Sequence, residues 1–318
     1  MTARVRVNGQ LEAPPLPVGH RLLPIVAAAL ARDGHCVPSA PAAVRWPASH
    51  FGLDRVAAFR DAPPAARYRL LSVCATDLLT EAFFVEKLGI GFAAKMVLLS
   101  STADERTAYA LMGADEARHM ADIAAQMGTR PDAEGTAPDD PFCDLLARAI
   151  DTGRRGALAF LVQVVLEGWG LVHYCRLARG TADPALRATL VDIVKDEALH
   201  HGGGLAVLGR DGLSPADLRA AQAALASLLS MIQAGPQRVV ARLEEARGPL
   251  GRRERARVFA EIDTERRAGE QLTLLRGFLA RAPALEIRLD CLGLFRPLSP
   301  VQCAAVGDGG PGGKGKSR

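Results

Sequence analysis

One five-residue pattern occurs twice in this chain: Asp115-Glu116-Ala117-Arg118-His119 and Asp196-Glu197-Ala198-Leu199-His200. On a helix, a Glu and a His three residues apart share a face and lie about 4.5 Å apart along the axis, so both can reach one point across a helical core. A single Glu-x-x-His carries little weight. With 15 Glu and 7 His in 318 residues, chance supplies about a third of one match per chain. Two copies sharing the Asp before and the Ala after need a common cause, and the pattern demands helices.

The surroundings of the two motifs repeat as well. From Ala65 the apolar pattern predicts helix to about Leu99, and Ser100 to Asp104 supplies the cap of a second helix reaching Met127. Gly128 to Pro141 reads as a loop. A third helix is expected from Cys143 or Arg154 to Leu177, and a fourth from 185 to 208 after the Arg179–Pro184 turn. Thr-Ala-Asp stands in both turns, at 102–104 and 181–183. Each hairpin thus joins an apolar helix to a Glu-x-x-His helix.

The apolar helices each bring a carboxylate. In the third helix it is Glu167, and the midpoint of 167 and 197 is 182, inside the turn, so Glu167 faces Glu197 across the hairpin. In the first helix there are two candidates, Glu81 and Glu86, about 140° apart around the axis. Matching Glu81-Ala-Phe to Glu167-Gly-Trp favours Glu81, which is the expectation taken here; the midpoint with Glu116, 98.5 for Glu81 and 101 for Glu86, lies nearer the turn for Glu86.

Leu78, Leu79, Phe83, Phe84 and Val85 in one helix, and Phe160, Leu161, Val164, Val165 and Leu166 in the other, mark helices buried nearly all round. Unpaired carboxylates there cost several kcal/mol each. Four of them carry −4; two divalent ions and two neutral imidazoles balance that charge, and the third helix has no Lys to do so instead.

Two Glu from two helices plus two Glu-x-x-His motifs from two others resemble the ligand set of the ferritin-like di-iron carboxylate proteins, a set the general rules for helix bundles describe. The resemblance spans about residues 65–208. It implies an all-α, ferritin-like four-helix bundle with extra flanking helices, two Fe ions (Fe/Mn as the variant), and the ligands Glu81, Glu116, His119, Glu167, Glu197 and His200. It also implies that Asp115 and Asp196 each hold the ring N–H of the other repeat's histidine. No C-x-x-C occurs, about 100 residues follow position 208, and Ile193 stands where some amine N-oxygenases of the superfamily have a third His. What remains is an oxidase or oxygenase using O2 and a small organic substrate, with an electron donor and a homodimer as expected partners. An iron-handling ferroxidase and a metal-free helical interaction module are the alternatives.

Several residues stand near the motifs without belonging to them. Tyr109 and Tyr174 lie seven residues from Glu116 and Glu167, on the same faces, as core tyrosines or redox and gating groups. His201 reads as a surface or supporting residue. Gly202–Gly204 marks close helix packing or room for a ligand. Gly168 and Gly170 beside Glu167 predict an uncharged pocket at the metals.

Composition bounds the rest. Hydrophobic residues at 49%, charged ones at 23% and aromatics at 5% favour a globular helical protein. The net charge of +4 includes Lys314, Lys316 and Arg318, so the body is near neutral and gives no nucleic-acid footprint. The longest uncharged apolar run, 11 residues between Arg155 and Glu167, predicts no membrane span. Six dispersed cysteines and the lack of a signal peptide predict a cytoplasmic, reduced protein. The expected organisation is a Pro-rich wrapping arm over 1–64, the bundle over 65–208, further helices over 209–305 and a disordered tail over 306–318.

Overall fold

The computed structural model of the chain describes residue 11 and residues 13–31, 44–133 and 139–306. Among the described residues the fold is all-helical, with no strand. In chain order the helices are α1 (Leu22–Leu30), α2 (Ala48–Phe51), α3 (Ala57–Arg60), α4 (Pro64–Leu99), α5 (Ala103–Met127), α6 (Pro141–Thr152), α7 (Arg155–Gly180) and α8 (Pro184–Asp211). They continue as α9 (Pro215–Gln233), α10 (Gln237–Arg247), α11 (Arg252–Glu261), α12 (Thr264–Phe278), α13 (Pro283–Cys291) and α14 (Pro300–Val306). Val306, where the expected tail begins, ends the last helix; the rest of that tail and Cys36 lie outside the described residues, and none of the other five cysteines forms a disulfide among the described residues.

Local chemistry explains the boundaries. Thr102 caps α5 by accepting from the Glu105 amide at 3.2 Å, and Gly128, at φ 74°, ends it in the left-handed conformation. Asp183 caps α8 through the amides of Ala185 and Leu186, with Pro184 opening the helix. The expected third helix is two helices, because the chain is extended at Gly153 and Arg154 between α6 and α7. The expected helix over 252–282 is likewise broken at Asp263, which takes a positive φ of 62°.

The chain forms two compact units, Met1–Arg45 with Ala75–Ala224, and Trp46–Cys74 with Leu225–Arg318. This division differs from the boundaries expected at 64/65 and 208/209. In the second unit Trp46, Leu53 and Val56 of the Pro-rich stretch are fully buried. The Ala57 amide there donates to Glu261 at 3.0 Å, and Arg267 reaches the carbonyls of Ser49 and His50. That stretch is core material.

In the first unit Phe83, Phe84, Phe92 and Phe160 are fully buried, each worth about 1.5–3 kcal/mol of apolar transfer. Polar ties fix the helices around them. Lys87 binds Asp132 at 2.9 Å and the Ala13 carbonyl at 2.7 Å, the Lys95 ammonium donates to the Asp151 carbonyl at 3.0 Å, and Gln126 donates to Thr189 at 3.1 Å. Helix α7 is long and apolar enough to cross a membrane, with a hydropathy of 1.5, because such a window tolerates the charge of Glu167 that ended the uncharged run. More than half of that window, 56%, is buried inside the protein.

Candidate metal centre

Four helices of the first unit converge on one buried cluster. Helix α4 brings Glu86, α5 brings Glu116 and His119, α7 brings Glu167, and α8 brings Glu197 and His200. Ligand atoms of Glu86, Glu116, His119 and Glu197 all lie within 4.8 Å of one another, as do those of Glu116, Glu167 and His200. The two groups share Glu116. Each can hold a metal ion.

Both imidazoles point Nδ1 inward. His119 Nδ1 lies 3.2 Å from Glu86 and 3.7 Å from Glu197; His200 Nδ1 lies 3.4 Å from Glu116 and 3.5 Å from Glu197. Each Nε2 faces an aspartate of the other motif, His119 on Asp196 at 3.1 Å and His200 on Asp115 at 3.3 Å. Arg118 spans the aspartates at 2.8 Å to each. This crossed pairing fixes both ring orientations and turns each Nδ1 toward the carboxylates of the cluster.

Of the expected residues, Glu116, His119, Glu167, Glu197 and His200 come together and Glu81 does not; Glu86 takes that place. Glu81 is half-buried and lines a neighbouring cavity. The register explains the difference. Leu99 and Ala103 flank the first turn and Gly180 and Pro184 the second, with midpoints 101 and 182, which are also the midpoints of 86 and 116 and of 167 and 197. A uniform offset of 81 positions relates 86 to 167, 115 to 196, 116 to 197 and 119 to 200. That spacing was the available signal; the Glu-Ala-Phe match was local likeness. We expect Glu86→Gln to lower the metal bound per chain after dialysis and Glu81→Gln to leave it at the wild-type level.

The electrostatics are those of carboxylates crowded together in the interior. Burial first, then the charges of Glu197, Glu86 and Glu167, push the Glu116 carboxyl well above the usual range; burial and Glu197 do the same to Glu167. Burial lowers His119, but the hydrogen bonds to Asp196 and Glu86 outweigh it and raise it to about 10. His200 is raised to about 9 against burial by Asp115 and Glu197. Two buried atoms in the cluster, Glu197 Oε2 and His200 Nδ1, make no hydrogen bond. Such orphaned atoms are rare and need an explanation. Facing carboxylates and inward imidazole nitrogens fit a divalent cation that takes mixed oxygen and nitrogen ligands.

Space around the cluster is shaped by glycines. A Cβ on Gly89 would lie 2.5 Å from Glu116 Oε2, so only glycine lets that carboxylate pass α4. Gly204 is close packing, since a Cβ there would lie 2.4 Å from the Gln163 side chain. Gly170 faces open space. It lines a cavity of about 70 Å³ with Val85, Phe92, Phe142, Leu166 and Trp169 on its wall and Glu86, Glu116, Glu167 and Glu197 at the cluster. Glu81 and His173 also line it, and among the described residues lining it there is no Lys or Arg. Tyr174, whose hydroxyl donates to Glu86, is kept protonated by burial and by that carboxylate.

No protein-family model, curated protein or solved structure matches the chain.

Proposed function

We propose that the first unit is a ferritin-like di-iron carboxylate centre that activates O2 to oxidise a small organic substrate. The observation that carries this reading is the pair of overlapping ligand groups, two histidines and four glutamates with Glu116 in common, buried beside an apolar cavity. Glu86, Glu116, His119 and Glu197 would hold one ion and Glu116, Glu167 and His200 the other. Iron bound there supplies the electrons that reduce O2 and the oxidising power turned on the substrate.

The chain's own groups set the conditions. Asp196 and Asp115 hold the imidazoles in the tautomer that leaves Nδ1 free, and Arg118 bridges the two aspartates, offsetting one of their two charges outside the cluster. Tyr174 fixes Glu86. Glu167 is partly accessible, on the cavity side, and is the ligand best placed to shift when a substrate arrives. The apolar wall keeps water away and offers no cation to an anionic substrate.

The test is oxygen consumption by anaerobically iron-loaded protein. About one O2 per ion pair, with iron stopping near two per chain, is the expected result. Gly170→Leu, which fills the cavity without meeting a neighbour within 4 Å at Cβ, should keep the iron and slow the oxidation. Progressive iron uptake beyond two per chain would make the protein an iron handler instead.

A further inference from the structure

Helix α7 is not α-helical throughout. Over Ala159–Leu166 it is a π-helix, and Glu167 follows directly. Stretches of this kind are rare, arise from a locally displaced hydrogen-bond register, and gather at functional sites. A slip of one residue back to α-helix would turn Glu167 by about 100° around the axis, away from His200.

Two side chains oppose such a slip, working in opposite directions between the same pair of helices. Gln163 donates through Nε2 to the backbone carbonyl of His200 at 3.2 Å. His201 Nδ1–H donates back to the carbonyl of Gln163 at 3.0 Å. The other end of the Gln163 amide accepts from the Tyr109 hydroxyl at 2.8 Å, which fixes the amide orientation. Gln163 is 3% exposed, so breaking these bonds strands polar atoms in the core. Gly204 gives it room, through the same absent Cβ. The device belongs to one half of the repeat only. Positions 81 earlier hold Ala82 and Met120, which can make neither bond.

We propose that Gln163 and His201 are positioning residues, a reciprocal latch that pins the π-helical stretch to the backbone beside His200 and so sets Glu167 in the Glu116–Glu167–His200 half of the cluster. The inference rests on the metal-centre reading above. It gives His201 and Tyr109 a task that neither motif explains, and it makes the two metal positions separately adjustable.

The experiment is Mn(II) binding to the full chain by equilibrium dialysis and electron paramagnetic resonance, alongside hydrogen exchange on the metal-free chain. Gln163→Leu and His201→Phe should weaken one of the two Mn(II) ions by tenfold or more and leave the other as in the wild type. Exchange over 159–166 should quicken in both variants, with 103–127 unchanged. His201→Asn, whose amide N–H can reach the same carbonyl, should restore both readouts. Two ions bound as tightly as in the wild type with exchange unaltered, or both ions weakened equally, would overturn the latch. Should Gln163→Leu fail to fold, the His201 pair decides, because His201 is only half-buried. A wild type that binds no Mn(II) or Fe(II) defeats the metal reading, and the exchange data then judge the latch by themselves.

Discussion

Glu116→Ala is expected to reduce bound metal from about two ions per chain to nearly none. Glu116 is the one residue in both ligand groups, so its loss takes an oxygen from each position at once. A second readout separates this from unfolding. Metal that binds only the folded chain, at a hundredfold above its Kd, stabilises by about 2.7 kcal/mol, or roughly 5–10 °C in Tm for a unit of this size. Wild type should show that rise on adding Fe(II) or Mn(II), and the variant should not. The metal-free variant should melt no lower than metal-free wild type by more than the cost of the cavity, because the carboxyl removed is one that burial and its neighbours already disfavour in ionised form. A variant that still takes up two ions would refute the shared-ligand geometry.

The second large effect concerns pH. His119 and His200 hold their protons to about 10 and about 9 in the folded metal-free chain, against an ordinary value of 6.5. Groups raised in this way contribute stability that is complete below the unfolded value and is lost as pH climbs through the folded one. Glu116 and Glu167, also raised, act with the same sign. Metal-free protein should therefore lose Tm between about pH 6.5 and 10, by about 5 °C or more. Metal displaces those protons, so loaded protein should be nearly flat over that window and loading at pH 7 in weak buffer should acidify the solution. Asp196, drawn down to about 2 chiefly by its bond to His119, has the opposite sense: its contribution stands above about pH 4 and disappears as pH falls toward 2. A metal-free Tm that rises from pH 7 to 10 would contradict the protonation pattern.

The helices and four of the six clustered side chains were legible in the sequence because both follow from short-range rules, and Glu167 was legible as the one carboxylate of an apolar helix facing Glu197 across a short turn. Helical periodicity, caps at Thr102 and Asp183, and the i,i+3 spacing of Glu and His act within a turn or two of the chain. The crossed pairing of Asp115 with His200 and Asp196 with His119 followed from the resemblance and stands in the geometry. Glu86 was harder, since two carboxylates five residues apart compete on an apolar helix and only the hairpin register separates them. The π-helical stretch was invisible. Its letters, Ala-Phe-Leu-Val-Gln-Val-Val-Leu, have the composition of any buried helix, and the bonds that hold it come from Tyr109 and His201, 54 and 38 positions away. Trp46, Leu53 and Val56 lie in the stretch that its prolines mark as an irregular wrapping arm, and the rest of their compact unit comes mostly from residue 225 onward.

That last arrangement bears on how the protein is born. The second compact unit is discontinuous, opened by Trp46–Cys74 and closed by Leu225–Arg318. Between them the ribosome must make residues 75–224, a stretch of 150, which takes roughly 8–30 s at ordinary elongation rates. Throughout that interval Trp46, Leu53, Val56 and Phe59 have no C-terminal half to bury them, and by its end every residue of the cluster has been made. The chain that carries the cluster is thus made in full before the second half of the other unit leaves the ribosome.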